Sequence, residues 1–241
     1  MQEKNAVLGT LFLIPTPLGE EVAFSKIFPD YNSEIVNSID VFIAEDAKSA
    51  RRFLKQSGFK KSFDEITIHL LNEHSKDLDT RNYLDAALKG KNIGLLSDAG
   101  CPGLADPGAS MVRMAHEKYI QVIPLIGPSS ILLALISSGM NGQNFAFNGY
   151  LERENHLLTK QLRELEKRVQ QQNQTQLFIE TPYRNTKMLE TILQTCGNET
   201  RLCIACDVTL PTEYIKTRTI AAWKKNLPDI HKRPAVFVLG R

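Results

Sequence analysis

Ile93-Gly94-Leu95-Leu96-Ser97 runs directly into Asp98-Ala99-Gly100-Cys101-Pro102-Gly103-Leu104-Ala105-Asp106-Pro107-Gly108, and this junction decides the fold. The first five residues are apolar or small, as in a strand buried on both faces. The next eleven hold three glycines and two prolines. Glycine lets a backbone approach a ligand closely and take positive φ. Proline fixes the chain and removes a competing donor. A loop of this composition can grip a ligand through its own N–H and C=O groups.

Three more apolar runs upstream and downstream end in the same way. Leu11–Ile14 runs into Pro15-Thr16-Pro17-Leu18-Gly19, Val41–Ala44 into Glu45-Asp46-Ala47-Lys48, and Val122–Leu125 into Ile126-Gly127-Pro128-Ser129-Ser130. A fifth candidate strand is Ile66–Leu70. Helical patterns separate these runs at about Ser33–Ser38, Ser49–Ser57, Lys76–Lys89 and Ala109–Lys118. Strands alternating with helices predict a largely parallel sheet with helices on its faces. In such sheets ligands bind outside the carboxyl ends of the strands, where all four loops would gather. The glycine- and proline-rich loops could be plain tight turns, but four on one edge favour a binding site.

The second half is built differently. Ser130–Ser138 reads as an apolar helix and Glu154–Gln172 as a long charged one. Strand Leu177–Glu180, helix Asn185–Thr195, strands Leu202–Asp207 and Tyr214–Thr219 and a final strand Ala235–Leu239 follow. Two strands either side of Pro211 with no long helix between them predict a mixed sheet. The turn signal at Ile126-Gly127-Pro128 divides the chain into an N-terminal α/β domain, 1–126, and a C-terminal α/β domain, 127–241. The biased segment Gln170–Gln176 reads as a solvated helix end or loop.

Composition narrows the class. The 241 residues are 42% hydrophobic and 23% charged, with 29 basic against 27 acidic side chains, which excludes a uniformly basic chain but not a local basic patch. No apolar run is long enough to span a bilayer, and Met1-Gln2-Glu3-Lys4-Asn5 lacks the build of a signal peptide, so a cytoplasmic location is expected. Cys203 and Cys206 fall on one strand and point to opposite faces, and read as buried small residues rather than metal ligands. His69 and His74 are too loosely spaced to define a metal site; Glu73-His74, near a strand end, could touch substrate, but a surface or satisfied histidine is the favoured reading. Neither G-x-G-x-x-G after the first strand nor G-x-x-x-x-G-K-[ST] occurs, so NAD and ATP enzymes of the common kinds lose ground. Ser129-Ser130 lacks G-x-S-x-G flanks and suits a helix cap or a ligand contact.

The loop Leu96–Gly108 resembles the hallmark of tetrapyrrole-methylase-fold enzymes, and within them the 16S rRNA 2′-O-ribose methyltransferase I group. Ile14–Gly19, Ala44-Glu45-Asp46, Gly127-Pro128-Ser129-Ser130 and Glu180-Thr181-Pro182-Tyr183-Arg184 resemble it too, in order and spacing along nearly the whole chain. The resemblance implies a homodimer of two-domain chains with S-adenosylmethionine in a cleft between the domains and no metal. It implies cofactor contacts from Pro17, Asp98, Gly100, Gly103, Leu104, Ser129 and Ser130, with further ones around Ala205 and Pro234. The sequence also departs from the group. Glu20 stands where an Asn is usual, and Glu-Asp-Thr-Arg becomes Glu45-Asp46-Ala47-Lys48. Ala-Arg-Glu-Leu-Thr-Lys becomes Ala205–Leu210, and Lys-Gly-Glu becomes Lys232-Arg233-Pro234. The cofactor loops are therefore better kept than the acceptor side.

A methyltransferase of this kind aligns acceptor, methyl carbon and sulfur and excludes water. If the acceptor is a ribose hydroxyl, a base could help remove its proton. Asp46 and Glu180 are the candidates, with helix capping or pairing to Lys48 or Arg184 as the alternative for each. Lys48, Arg51, Arg52 and Lys55 recur at i, i+3, i+4 and i+7 on one helical face, opposite Ala50, Phe53, Leu54 and Ser57. With Arg184, this stripe is the candidate contact to the acceptor; a solvated face is the other reading. The leading expectation is methylation of a ribose 2′-hydroxyl of ribosomal RNA, with rRNA or the small ribosomal subunit as partner. A tetrapyrrole-like small-molecule C-methyltransferase and a catalytically silent cofactor-binding module are the alternatives.

Overall fold

The computed structural model describes residues 7–20, 22–71, 80–105 and 107–241. The chain divides into two compact units, Met1–Pro128 and Ser129–Arg241. In the first, chain order is β1 (Thr10–Ile14), α1 (Asp30–Ser38), β2 (Val41–Ala44), α2 (Ala47–Gln56), β3 (Thr67–Leu70), α3 (Asp85–Leu88), β4 (Ile93–Leu96), α4 (Ala109–Glu117) and β5 (Gln121–Pro124). The five strands form one sheet in the order β3-β2-β4-β1-β5, and every pairing is parallel.

Side-chain alternation along the strands builds two cores. Phe12 and Ile14 of β1 pack with Phe28, Val36, Phe53 and Leu54, so α1 and α2 cover one face. Leu11, Ile93 and Leu95 pack with Ala87, Met111 and Ala115, so α3 and α4 cover the other. This arrangement fixes where a ligand can bind. β1 and β4 are neighbours, yet the chain leaves β1 for one face and β4 for the opposite face. The crevice opened where adjacent strands diverge in this way is the usual ligand position in α/β sheets.

The second unit contains α5 (Ser130–Ser138), β6 (Phe145–Tyr150), α6 (Asn155–Gln172), β7 (Thr175–Ile179), α7 (Asn185–Thr195), β8 (Arg201–Cys206), β9 (Tyr214–Thr219), α8 (Ile220–Trp223) and β10 (Ala235–Gly240). The sheet order is β6-β7-β10-β8-β9. β6 and β7 run parallel and the other pairs antiparallel, the mixed sheet expected. Leu162, Leu165, Leu189, Ile192 and Trp223 from α6, α7 and α8 pack on Leu202, Ile204 and Phe237. The Trp223 indole N–H is satisfied by the Leu202 carbonyl at 2.8 Å. On the other face α5 lies against β8, β9 and β10.

Three expectations need correction. Of the helix read over Lys76–Lys89, Thr80 and Asp85–Leu88 are helical with turns at 81–84 between them, and residues 72–79, with Glu73 and His74, lie outside the described residues. β6 was not anticipated. The segment Gln170–Gln176 is solvated only in part, because Thr175 and Gln176 enter β7 with 2% and 0% exposure. The Gln176 amide group donates to the backbone and side-chain oxygens of Gln174, at 3.0 and 2.9 Å. A polar residue so satisfied can be buried in a strand.

Candidate functional site

The loops after β1 and β4 are stitched into one structure. Thr16 N–H donates to the Gly100 carbonyl at 2.9 Å, and Gly100 N–H returns a bond to Thr16 O at 3.1 Å. The buried Thr16 hydroxyl donates to Ser97 O at 3.1 Å. The exchange needs Gly100 at φ 80°, a conformation that favours glycine. The loop after β5 is locked onto the same pair. The Cys101 thiol donates to Pro128 O at 3.4 Å, and a Cβ added to Gly127 would lie 2.2 Å from Pro15 Cγ.

Beside this seam is a pocket of about 190 Å³, whose lining includes Thr16, Pro17, Glu20, Arg52, Ser97 and Asp98. Pro17, Asp98 and Arg52, singled out from the sequence, are thus brought together. Asp98 is exposed, while Gly100 behind it is buried. Arg52 Nη1 is bound to Glu20 Oε1 across the pocket lining. A wider hollow of about 630 Å³ shares Glu20 and Gln56 but is otherwise lined by residues such as Phe24, Ser25, Asp30 and Ser33. Its lining holds none of the other strand-end loop residues, so the smaller pocket is the better candidate. Gly103 and Leu104 are exposed farther along the β4 loop.

The two candidate bases have structural partners. Asp46 is the N-cap of α2, its Oδ1 accepting from Ser49 N–H at 2.7 Å. Hydrogen bonds from Ser49 and the charge of Lys48 hold its carboxyl below the ordinary range. Glu180 Oε1 accepts from Thr181 N–H at 2.7 Å, and its Oε2 lies 3.2 Å from Arg184 Nε. These are the capping and pairing roles set out as alternatives. On α2, Lys48, Arg51, Arg52 and Lys55 are exposed while Ala50, Phe53, Leu54 and Ser57 are buried. The stripe is real as a surface, but Glu20 already occupies Arg52, and the Lys55 ammonium lies 5.9 Å from the Phe63 ring centroid.

In the second unit Ser129 caps α5, its hydroxyl accepting from Leu132 N–H at 3.4 Å, with Ser130 the first helical residue. Ala205 is 1% exposed within β8, whereas Pro234 is exposed. The Pro234 carbonyl is fixed by Asp207 N–H at 3.0 Å. Asp207 itself is gripped by Arg233 Nε at 2.8 Å and the Thr212 hydroxyl at 2.8 Å, and Arg233 Nη2 donates to Thr212 O at 2.6 Å. Sequence reasoning missed Thr16, Ser97, Glu20 and Arg233. Thr16 carried a signal, a hydroxyl between two prolines; the Arg52 and Asp207 partnerships span 32 and 26 residues and carried none. Among the described residues no group of three or more His, Cys, Asp or Glu is placed to hold a metal ion.

The family model for Tetrapyrrole (Corrin/Porphyrin) Methylases matches residues 33–223. A ribosomal RNA small subunit methyltransferase I from Synechocystis sp. is 31% identical over 92% of this chain and 76% of its own length. Those of Escherichia coli O157:H7 and Bacillus subtilis are 28% and 32% identical, over 96% and 79% of this chain and 77% and 61% of theirs. The crystal structure of the methyltransferase CobJ superimposes with a TM-score of 0.63 at 17% identity, over 97% of this chain and 94% of that one, which bears on the fold. On the match over residues 33–223 and the 31% identity to the Synechocystis methyltransferase, the chain is a methyltransferase belonging to the tetrapyrrole (corrin/porphyrin) methylase family.

Proposed function

We propose that this methyltransferase takes its methyl group from S-adenosylmethionine and transfers it to a ribose 2′-hydroxyl of small-subunit ribosomal RNA. The observation that carries the donor half is the seam between Thr16 and Gly100 at the diverging strands, with an exposed carboxylate, Asp98, beside it. The donor is a cationic nucleoside, and backbone groups with one carboxylate suit it without a metal. S-adenosylmethionine, when bound, supplies a methyl on a sulfonium leaving group. The chain's own residues then hold and orient. Asp98 accepts from the ligand, Pro17, Gly100, Gly103 and Leu104 shape the backbone wall, and the stitched loops resist displacement by water.

The acceptor half draws on the relatives, which are ribosomal RNA small subunit methyltransferases, and on the exposed cations of α2 and Arg184. A ribosomal acceptor implies a cytoplasmic site of action. Association as a homodimer is supported by Leu132 and Ile136, one helical turn apart on α5 and 52% and 75% exposed. Among the described residues no helix is long and apolar enough to cross a membrane. Calorimetric titration with S-adenosylmethionine in the presence of a chelator tests the donor assignment. Binding should persist with the chelator; no binding at millimolar ligand to folded protein would refute it.

A further inference from the structure

Tyr183 lies in the tight turn Pro182–Arg184 after β7 and is 73% exposed. The turn itself is fixed. Arg184 N–H donates to Thr181 O at 2.8 Å, and Lys232 N–H donates to Pro182 O at 3.1 Å. The Lys232 ammonium lies over the tyrosine ring, 5.5 Å from its centroid. With the cation on one face and this much of the residue exposed, the opposite face of the ring is open to solvent.

The next residue in the turn, Arg184, is also cationic. Arg184 is tied to Glu180 at 3.2 Å and donates to the Arg153 carbonyl at 3.4 Å, and Arg153 is itself exposed. The nearby carboxylate, Glu180, is only 5% exposed and spent on Arg184. An aromatic face held at a fixed position beside lysine and arginine is the combination that binds single-stranded nucleic acid. The base stacks on the ring and the cations meet the phosphates.

We infer that Tyr183 is a stacking platform for an unpaired base of the RNA acceptor, with Lys232 meeting the adjacent phosphate. This rests on the ribosomal RNA reading above and adds to it a second contact surface, on the C-terminal unit, distinct from the stripe on α2. Stacking is not ionic, so the platform contributes affinity without contributing to the salt dependence. Lys232 contributes to both.

The test is fluorescence anisotropy of a labelled single-stranded RNA, on the order of ten nucleotides, titrated with the full chain across a salt series. Tyr183→Leu should bind about tenfold more weakly at every salt concentration, with the log–log slope unchanged. Tyr183→Phe keeps the ring and should bind like the wild type. Lys232→Gln should flatten the slope by about 0.7. Wild-type affinity in Tyr183→Leu, or equal losses in the Leu and Phe variants, would overturn the platform and leave the RNA reading standing. A wild-type chain that binds no RNA at low salt would overturn both.

Discussion

Gly127→Ala tests the claim that the loops after β1 and β5 form one rigid structure. The new Cβ would stand 2.2 Å from Pro15 Cγ, 2.5 Å from Pro15 Cβ and 3.0 Å from Phe28 Cε1. Ordinary carbon–carbon contacts lie at about 3.5–4.0 Å, so more than an ångström must be opened. A proline ring cannot rotate away, and Pro15 is held between β1 and the Thr16–Gly100 bridge. The loop 125–128 must therefore move, at the cost of overpacking, about 1–3 kcal/mol. For a chain of this size each kcal/mol lowers the melting temperature by about 2–4 °C, so a fall of about 2–12 °C is expected. Gly142→Ala is the control, since an added Cβ there meets nothing within 4 Å. Differential scanning calorimetry of both variants and the wild type is the assay. A Gly127→Ala melting temperature equal to that of Gly142→Ala would mean that Pro15 yields easily and the loops are not locked.

Asp98→Ala should weaken S-adenosylmethionine binding to the folded protein by about 1.5–3 kcal/mol, the worth of a hydrogen bond to a charged group; equal affinity by calorimetry would remove Asp98 from the site. Glu20→Gln releases Arg52 from its carboxylate partner, so the magnitude of the salt slope of RNA binding should rise by about 0.7, one additional phosphate contact; an unchanged slope in filter binding would leave Arg52 outside the RNA path. Burial pushes the Cys196 and Cys206 thiols from 9.0 up to about 12. The folded state therefore keeps protons that the unfolded state releases above pH 9, and stability present below that pH is lost as pH rises toward 12. Urea midpoints should fall over that range, and fall less in a Cys196→Ala/Cys206→Ala variant; parallel pH profiles for the two proteins would contradict the assignment.

The parallel N-terminal sheet was legible because β1, β2, β4 and β5 lie on short apolar runs, and those of β1, β4 and β5 lead into loops rich in glycine and proline. Val41–Ala44, Ser130–Ser138, Asn185–Thr195 and Tyr214–Thr219 match between sequence and structure residue for residue. β6 was hidden because it contains Asn148-Gly149, a turn signal, and Gly149 sits at φ 63° in the irregular pairing between Phe147 and Tyr150. The buried Gln176 was hidden because its partners lie partly on another strand, Asn148 donating to its side-chain oxygen at 3.2 Å. At the site the same division holds. Loop composition pointed to the strand ends as the site and the family resemblance to Pro17, Asp98 and Gly100 within them, whereas the pairings Glu20–Arg52 and Asp207–Arg233 depend on tertiary proximity that periodicity does not encode.

Transfer of radiolabelled methyl from S-adenosylmethionine tests the central claim most directly. The protein should be offered small ribosomal subunits lacking the modification, total RNA and tetrapyrrole precursors in parallel. The account predicts label in small-subunit ribosomal RNA, mapped to a ribose by its resistance to alkaline cleavage, and none in the tetrapyrroles. Label in a tetrapyrrole with none in RNA, or no transfer from a protein shown to bind the donor, would contradict it.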